Sequence, residues 1–195
     1  TNPMCVGLPV AGQPPIVLDF ATSRIAMGKV RVAYNMGKPV ADGILIDEAG
    51  RPTNDPGTMF REPHGALLPF GEHKGYGLAV ACEILAGALS GGLTLHARPS
   101  PHAIINHMLS FIVDADRLGG AAHLAAEARA FADWVKASPP VGDAAVMLPG
   151  DPERNWRRQR NAGGIPIDAT TWAQLLQAGT RVGLTEPEAL RLAQP

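Results

Sequence analysis

Gly71-Glu72-His73-Lys74-Gly75-Tyr76-Gly77-Leu78 joins a glycine-loosened turn to the apolar run Ala79 to Leu89, which has the composition of a helix. Glycine lets a backbone reach conformations closed to other residues and approach a ligand closely. His73 and Lys74 add basic side chains where the unpaired N–H groups of a helix start already favour anions. The stretch therefore reads as a phosphate site in outline. A tight turn that holds no ligand is the other reading of the same residues.

Upstream, Pro15-Ile16-Val17-Leu18-Asp19-Phe20-Ala21-Thr22-Ser23 is a short apolar run with β-branched members. It ends in an acid and two good helix-capping residues, which predicts a strand feeding a helix. That helix is expected over Arg24 to Met36, with Ile25, Val32 and Met36 near one stripe and Gly37 just past its end. In such units, ligands sit at the strand's last residues.

Several motifs, in order, carry a resemblance. They are Asp19-Phe20-Ala21-Thr22-Ser23, Asp47-Glu48-Ala49-Gly50-Arg51-Pro52-Thr53-Asn54-Asp55-Pro56, Leu68-Pro69-Phe70-Gly71 through Leu78, and Glu83-Ile84-Leu85-Ala86-Gly87-Ala88-Leu89. Phe111-Ile112-Val113-Asp114, Leu148-Pro149-Gly150-Asp151 and Gly164-Ile165-Pro166-Ile167-Asp168 continue the series over nearly the whole chain. Together they resemble the malate/L-lactate dehydrogenase family of the non-Rossmann type, and the Phe-Gly-Glu-His-Lys-Gly loop looks most like its 2-hydroxycarboxylate branch.

The resemblance implies an α/β fold, a mixed sheet with flanking helices that binds NAD or NADP without a Rossmann unit. It implies hydride transfer between the nicotinamide and C2 of a small 2-oxo or 2-hydroxy acid, or reduction of a cyclic imino acid. Cofactor contacts are then expected from Ile16, Val17, Leu18, Asp19, Phe20, Ala21 and Thr22, with a hydroxyl and N–H groups of Thr22 near a helix start. His73 and Lys74 would meet phosphate or ribose oxygens, and Gly150, Asp151 and Pro152 would approach from the other side. At Asp151 the family usually has Glu, one methylene longer. Asp47 is the catalytic candidate, the carboxylate that orients a proton-handling histidine; Asp55 is its rival, and a turn-starting structural aspartate is the alternative for Asp47.

In the family that histidine lies in an N-terminal segment. This chain starts inside the pattern, at Thr1-Asn2-Pro3, so it is expected to be a C-terminal portion: a cleaved piece, a truncated product or one chain of a split protein, inactive by itself. The expected division is a cofactor domain over 1–138 and a region over 139–195 that packs on it or on the N-terminal part. A homodimer or a complementary N-terminal chain is the expected partner, with apolar area exposed where it docks. The competing function is a non-catalytic nucleotide-binding or dimerisation module.

Composition is consistent with a folded domain, at 195 residues, 46% hydrophobic and 18% charged. A net charge of −1 gives no electrostatic reason to expect nucleic acid or an anionic membrane surface as partner. The longest apolar stretch, Leu78 to Leu89, contains Glu83 and is too short to span a bilayer. Cys5 and Cys82 lack metal-type spacing and the histidines lack His-x-x-x-His, so no disulfide and no metal is expected, with Cys82 a small core residue in a cytoplasmic protein.

The remaining pattern predicts strands over Ala41–Ile46, Ile104–Val113 and Val146–Leu148, and a surface loop over Arg51–Gly65. Helices are predicted over Ala121–Lys136 and Ala169–Val182, the latter capped by Asp168 or Thr170. Arg154, Arg157, Arg158 and Arg160 form a basic run on a short helix, read as a solvated face, although one arginine near a ribose would favour a 2′-phosphate.

Overall fold

The computed structural model describes residues 2–97 and 105–193. In chain order its elements are β1 (Pro3–Val10), β2 (Gln13–Ala21), α1 (Met27–Asn35), β3 (Leu45–Ile46), β4 (Pro52–Thr53), β5 (Ala66–Leu67), α2 (His73–Cys82), α3 (Ala121–Lys136), α4 (Asp151–Gly163), α5 (Ala169–Thr180) and α6 (Glu186–Leu192). This is the expected α/β class, six helices with small sheets, and both sheets are antiparallel among the described residues. Packing groups the chain into two units, one of Asn2–Thr22 with His73–Trp156 and the other centred on Ser23–Glu72 with Arg157–Pro195. Position 138 falls within the first unit, where Lys136 also pairs with Asp151 at 3.1 Å.

In that first unit β1 and β2 form a hairpin, with Cys5 opposite Asp19 and Val10 opposite Gln13. Ala11-Gly12 is its two-residue turn, and Gly12 takes the left-handed φ of 65° that such turns require. Strand β2 covers the expected apolar run, whereas β1 is unforeseen: Pro3, Gly7 and Pro9 interrupt the strand pattern. Helix α3 has the expected bounds, packs on β1 and buries Ala132 completely. Helix α2 starts at His73, a turn and a half before the expected Ala79, and widens into a π-helical stretch over Glu83–Ala88.

Two predicted strands in this unit are corrected. Ile104 lies outside the described residues, and the backbone from Ile105 to Val113 pairs with nothing among them, leaving Ile112 97% exposed. Residues Val146–Leu148 likewise form no ladder, and Leu148 instead turns its N–H onto Asp151. Alternation selects side-chain faces, but a strand exists only where another backbone accepts its hydrogen bonds.

The other unit is built around Val30, Val40 and Leu45, surrounded by Ile25, Met27, Ala33, Ile44, Met59, Phe60 and Leu67. Its sheet has the order β4-β3-β5. The strand expected over Ala41–Ile46 shrinks to Leu45–Ile46, because Gly43 turns at φ 74° and its carbonyl accepts from Arg24 Nη1 at 2.7 Å. The Arg51–Gly65 loop holds β4 and a 3₁₀ turn over Pro56–Met59 that Asp55 caps through the Gly57 N–H. Helix α1 starts at Met27 after an uncapped Ala26, so Thr22 and Ser23 do not cap it. The chain stays extended there because the Arg24 N–H donates to the Leu68 carbonyl and Ser23 bridges Pro69.

Asp168 caps α5 as expected, accepting from the Thr171 N–H at 2.8 Å. The Thr171 hydroxyl in turn takes the Asn35 amide at 3.0 Å, which ties α5 to α1. The unforeseen α6 opens with a capping box, Thr185 and Glu188 exchanging side-chain and backbone bonds. Leu45 is fully buried while Val182 is 84% exposed. Leu45→Ala should therefore cost about 3 kcal/mol and Val182→Ala within about 0.5 kcal/mol. Urea unfolding of the two variants checks the contrast.

Candidate cofactor site

Strand β2 gathers the predicted contact segments. At Val17 its N–H donates to the Pro149 carbonyl at 3.2 Å, and at Pro15 its carbonyl accepts from Arg154 Nη1 at 3.1 Å, which seats the Gly150-Asp151-Pro152 loop beside the strand. At its far end Thr22, only 2% exposed, accepts the Asn2 N–H on its hydroxyl at 3.2 Å. Asn2 in turn donates its side-chain amide to the Ala79 carbonyl of α2 at 2.8 Å and to Glu83 at 2.9 Å. One unit thus holds Ile16–Thr22, His73 and Lys74, and Gly150–Pro152. Thr22 makes no cap for α1; its hydroxyl accepts from Asn2.

The turn into α2 is unusual. Gly71 and Glu72 take successive left-handed φ values of 52° and 53°. Glu72 carries a β-carbon there, a conformation costing on the order of 1 kcal/mol that survives only where surroundings enforce it. It delivers His73 and Lys74 into the first turn of α2, both exposed. Among the described residues neither side chain has an ion pair or a side-chain hydrogen bond. Two basic groups and the free N–H groups of the helix start therefore face outward without a counter-charge.

The Asp151 carboxylate is committed to its own loop. Asp151 accepts from the Leu148 N–H at 2.9 Å and from Arg154 at 2.7 Å, with Lys136 Nζ at 3.1 Å. Burial by itself raises its pKa, but Arg154, the Leu148 N–H and Lys136 outweigh it and hold the carboxyl at about 2. The arginine run read as a solvated face thus contributes one structural member, Arg154, to this loop. Gly150, at φ 95°, makes the turn that starts α4.

Asp47 and Asp55 lie in the other unit. Asp47 accepts the Arg51 N–H at 2.9 Å, the Ala49 N–H at 3.0 Å and Arg51 Nε at 2.9 Å. The Arg51 N–H, with the Arg51 side chain, pulls its pKa below the ordinary carboxylate value. Asp55 is lowered chiefly by the Gly57 N–H and is paired with Arg61.

Sequence reading overlooked Asn2 and the role of Glu83. A local signal exists only for the hairpin that places Asn2, the Gly12 turn followed by the strand from Gln13. A shallow open depression lined by Ile112, Val113, Asp114, Arg117 and Leu118 includes none of the predicted contacts. Among the described residues no cluster of three or more His, Cys, Asp or Glu is placed to hold a metal ion, and no helix is long and apolar enough to cross a membrane.

A small antiparallel ribbon thus bonds to helices and loops from distant parts of the chain. The family model for malate/L-lactate dehydrogenase matches residues 1–176, and the chain belongs to that family. It is 49% identical over 189 residues to hydroxycarboxylate dehydrogenase B of Escherichia coli K12, covering 95% of this chain and 52% of that protein. It is 38% identical to the L-lactate dehydrogenase of Cupriavidus necator, covering 97% of this chain and 55% of that protein.

A solved E. coli structure carrying a provisional malate/lactate dehydrogenase name superposes with a TM-score of 0.83 at 45% identity, over 100% of this chain and 56% of that one. Delta1-piperideine-2-carboxylate reductase from Pseudomonas syringae gives 0.67 at 33% identity, over 90% and 52%. The chain spans about half the length of the curated relatives it matches.

The low pKa of Asp151 has a measurable consequence. A carboxyl held at about 2 when folded and near 3.8 otherwise contributes stability that is full above about pH 4 and lost as pH falls through about 2. Asp151→Asn should cost roughly 1–2 kcal/mol near neutrality, and the gap from the unsubstituted protein should close between pH 4 and pH 2 in urea titrations.

Proposed function

We propose that this chain supplies the cofactor-holding part of an NAD- or NADP-dependent 2-hydroxyacid dehydrogenase. The supporting observation is that Ile16–Thr22, the helix opening with His73 and Lys74, and Gly150–Pro152 lie in one unit, where Asn2 ties Thr22 to Ala79 of α2 and Val17 meets Pro149. Leu18 and Asp19 of β2 are exposed, which suits a nucleotide lying along the strand. His73, Lys74 and the α2 N–H groups suit its phosphates, and the Gly150–Pro152 backbone its far end. Both nicotinamide forms fit this donor set, since it addresses phosphate rather than the 2′ position.

When bound, the nicotinamide donates or accepts a hydride at C2 of the substrate, a small 2-oxo or 2-hydroxy acid of the kind named for the relatives. The chain's own task is to orient and to manage charge. Asp47 is the proposed partner of a histidine that exchanges the substrate's proton. Its lowered pKa keeps it ionised at neutral pH, and the turn bonds use three of its roughly four acceptor positions, leaving one on a pre-oriented carboxylate.

Met108, Phe111, Ile112 and Val113 stand exposed and offer apolar surface to a second subunit or a complementary chain. A cytoplasmic location is consistent with two free cysteines.

Fluorescence titration of the native polypeptide with NADH and NADPH tests the reading. Saturable binding of at least one is expected, and Lys74→Ala should weaken it about tenfold, the loss of one charge-assisted hydrogen bond. Absence of saturable binding by the unsubstituted protein overturns the dehydrogenase reading.

A further inference from the structure

We propose that Asn2 is a positioning residue of the cofactor site: it clamps α2 to the end of β2 and so sets where His73 and Lys74 stand. The proposal rests on the cofactor reading above.

Its geometry is a closed set of directed bonds. The Asn2 main-chain N–H goes to the buried Thr22 hydroxyl at 3.2 Å, while its two amide hydrogens go to the Ala79 carbonyl at 2.8 Å and the Glu83 carboxylate at 2.9 Å. The other Glu83 oxygen takes the Leu95 N–H at 2.7 Å, which carries the chain of bonds past α2 to the segment that follows it. Both groups facing the amide nitrogen are acceptors, so a two-donor side chain is required and a carboxylate of equal shape would meet two acceptors.

Ala79 lies six residues, about 9 Å along the axis, beyond His73, and a helix is stiff over that distance. Fixing Ala79 therefore fixes the first turn. Glu83, the other anchor, opens the π-helical stretch in which the Leu89 N–H reaches back to the Ile84 carbonyl at 2.9 Å. The clamp thus grips α2 where its ladder changes pitch, a place at which the helix would otherwise shift most easily. A weaker hold there would leave the basic side chains in the same unit but out of register with β2.

A double-mutant cycle tests this in the native polypeptide, with NADH and NADPH dissociation constants read by fluorescence and folding by circular dichroism and Tm. Asn2→Ala should weaken dinucleotide binding about tenfold in the unsubstituted background and less than about twofold in a Lys74→Ala background, because its effect passes through the first turn of α2. KM for the 2-oxo acid should stay unchanged. Asn2→Asp should weaken binding more than Asn2→Ala, and adding Glu83→Gln, which supplies a donor at one of the two contacts while keeping an oxygen for the Leu95 N–H, should recover part of that loss, the Ala79 carbonyl still facing an oxygen.

Strict additivity of the cycle, or unaltered binding by folded Asn2→Ala, overturns the clamp. If Asn2→Ala does not fold, the Asn2→Asp/Glu83→Gln pair decides, and recovered folding without recovered binding overturns it. Failure of the unsubstituted protein to bind either dinucleotide instead removes the cofactor reading and this proposal with it.

Discussion

The antiparallel ladder between β1 and β2 is the constraint on which the first unit depends. A two-stranded ribbon is marginal alone and leaves one edge of each strand unpaired. Here those needs are met by segments from distant parts of the chain, some of them proposed to hold the cofactor. Helix α3 covers β1, and the Ala11 N–H at the hairpin turn donates to the Ala125 carbonyl. The free edge of β2 is met at Val17 by Pro149, and its end is met by Asn2 and, through it, α2. Pieces separated by more than a hundred residues are therefore assembled by backbone hydrogen-bond demand rather than by a large apolar core. Among the described residues of this unit the buried hydrophobic side chains are few, Val10, Ala132 and Leu148.

Charge is spent unevenly, and the pattern separates support from function. Asp47, Asp55, Asp151, Asp168 and Glu188 all have lowered pKa values, Asp151 chiefly through Arg154 and the others chiefly through N–H or hydroxyl donors of their own turn or helix start, with cations assisting at Asp47 and Asp55. These carboxylates hold turns and helix starts, whatever further role is proposed for Asp47 and Asp151. At the start of α2 the opposite holds: basic side chains stand where the helix dipole is already positive, with no carboxylate among the described residues drawn onto them. Concentrated like charge of that kind is unfavourable for the protein alone and favourable once an anion arrives.

Local chemistry was legible in the sequence wherever a few adjacent residues decide the outcome. Ala121–Lys136 carries its own apolar stripe, Asp168 caps within three residues, and Ile16–Ala21 is apolar enough to be a strand in any setting. What escaped depends on partners remote in the chain. The run from Ile105 to Val113 has a strand's alternation but no neighbouring backbone among the described residues, and β1 has a neighbour but a sequence broken by Pro3, Gly7 and Pro9. Thr22 looked like a helix cap because threonine usually is one near such a junction; the structure turns its hydroxyl toward Asn2, twenty residues away. Asn2 reaches across 77 and 81 residues to Ala79 and Glu83, a spacing no local pattern encodes.

The division of labour proposed for the family's reaction follows from the same separation. Hydride chemistry resides in the nicotinamide, so a chain need only hold it at fixed geometry against a substrate carbon. The residues proposed for holding it sit in one unit, on β2, at the start of α2 and in the Gly150–Pro152 loop. The proposed proton-side carboxylate, Asp47, sits in the other unit, locked by Arg51 and Ala49 before any partner histidine is considered. Binding and proton handling are thus supported by independent sets of hydrogen bonds. Substitutions in one set should then combine additively with substitutions in the other, whereas pairs within β2, Asn2 and α2 should not.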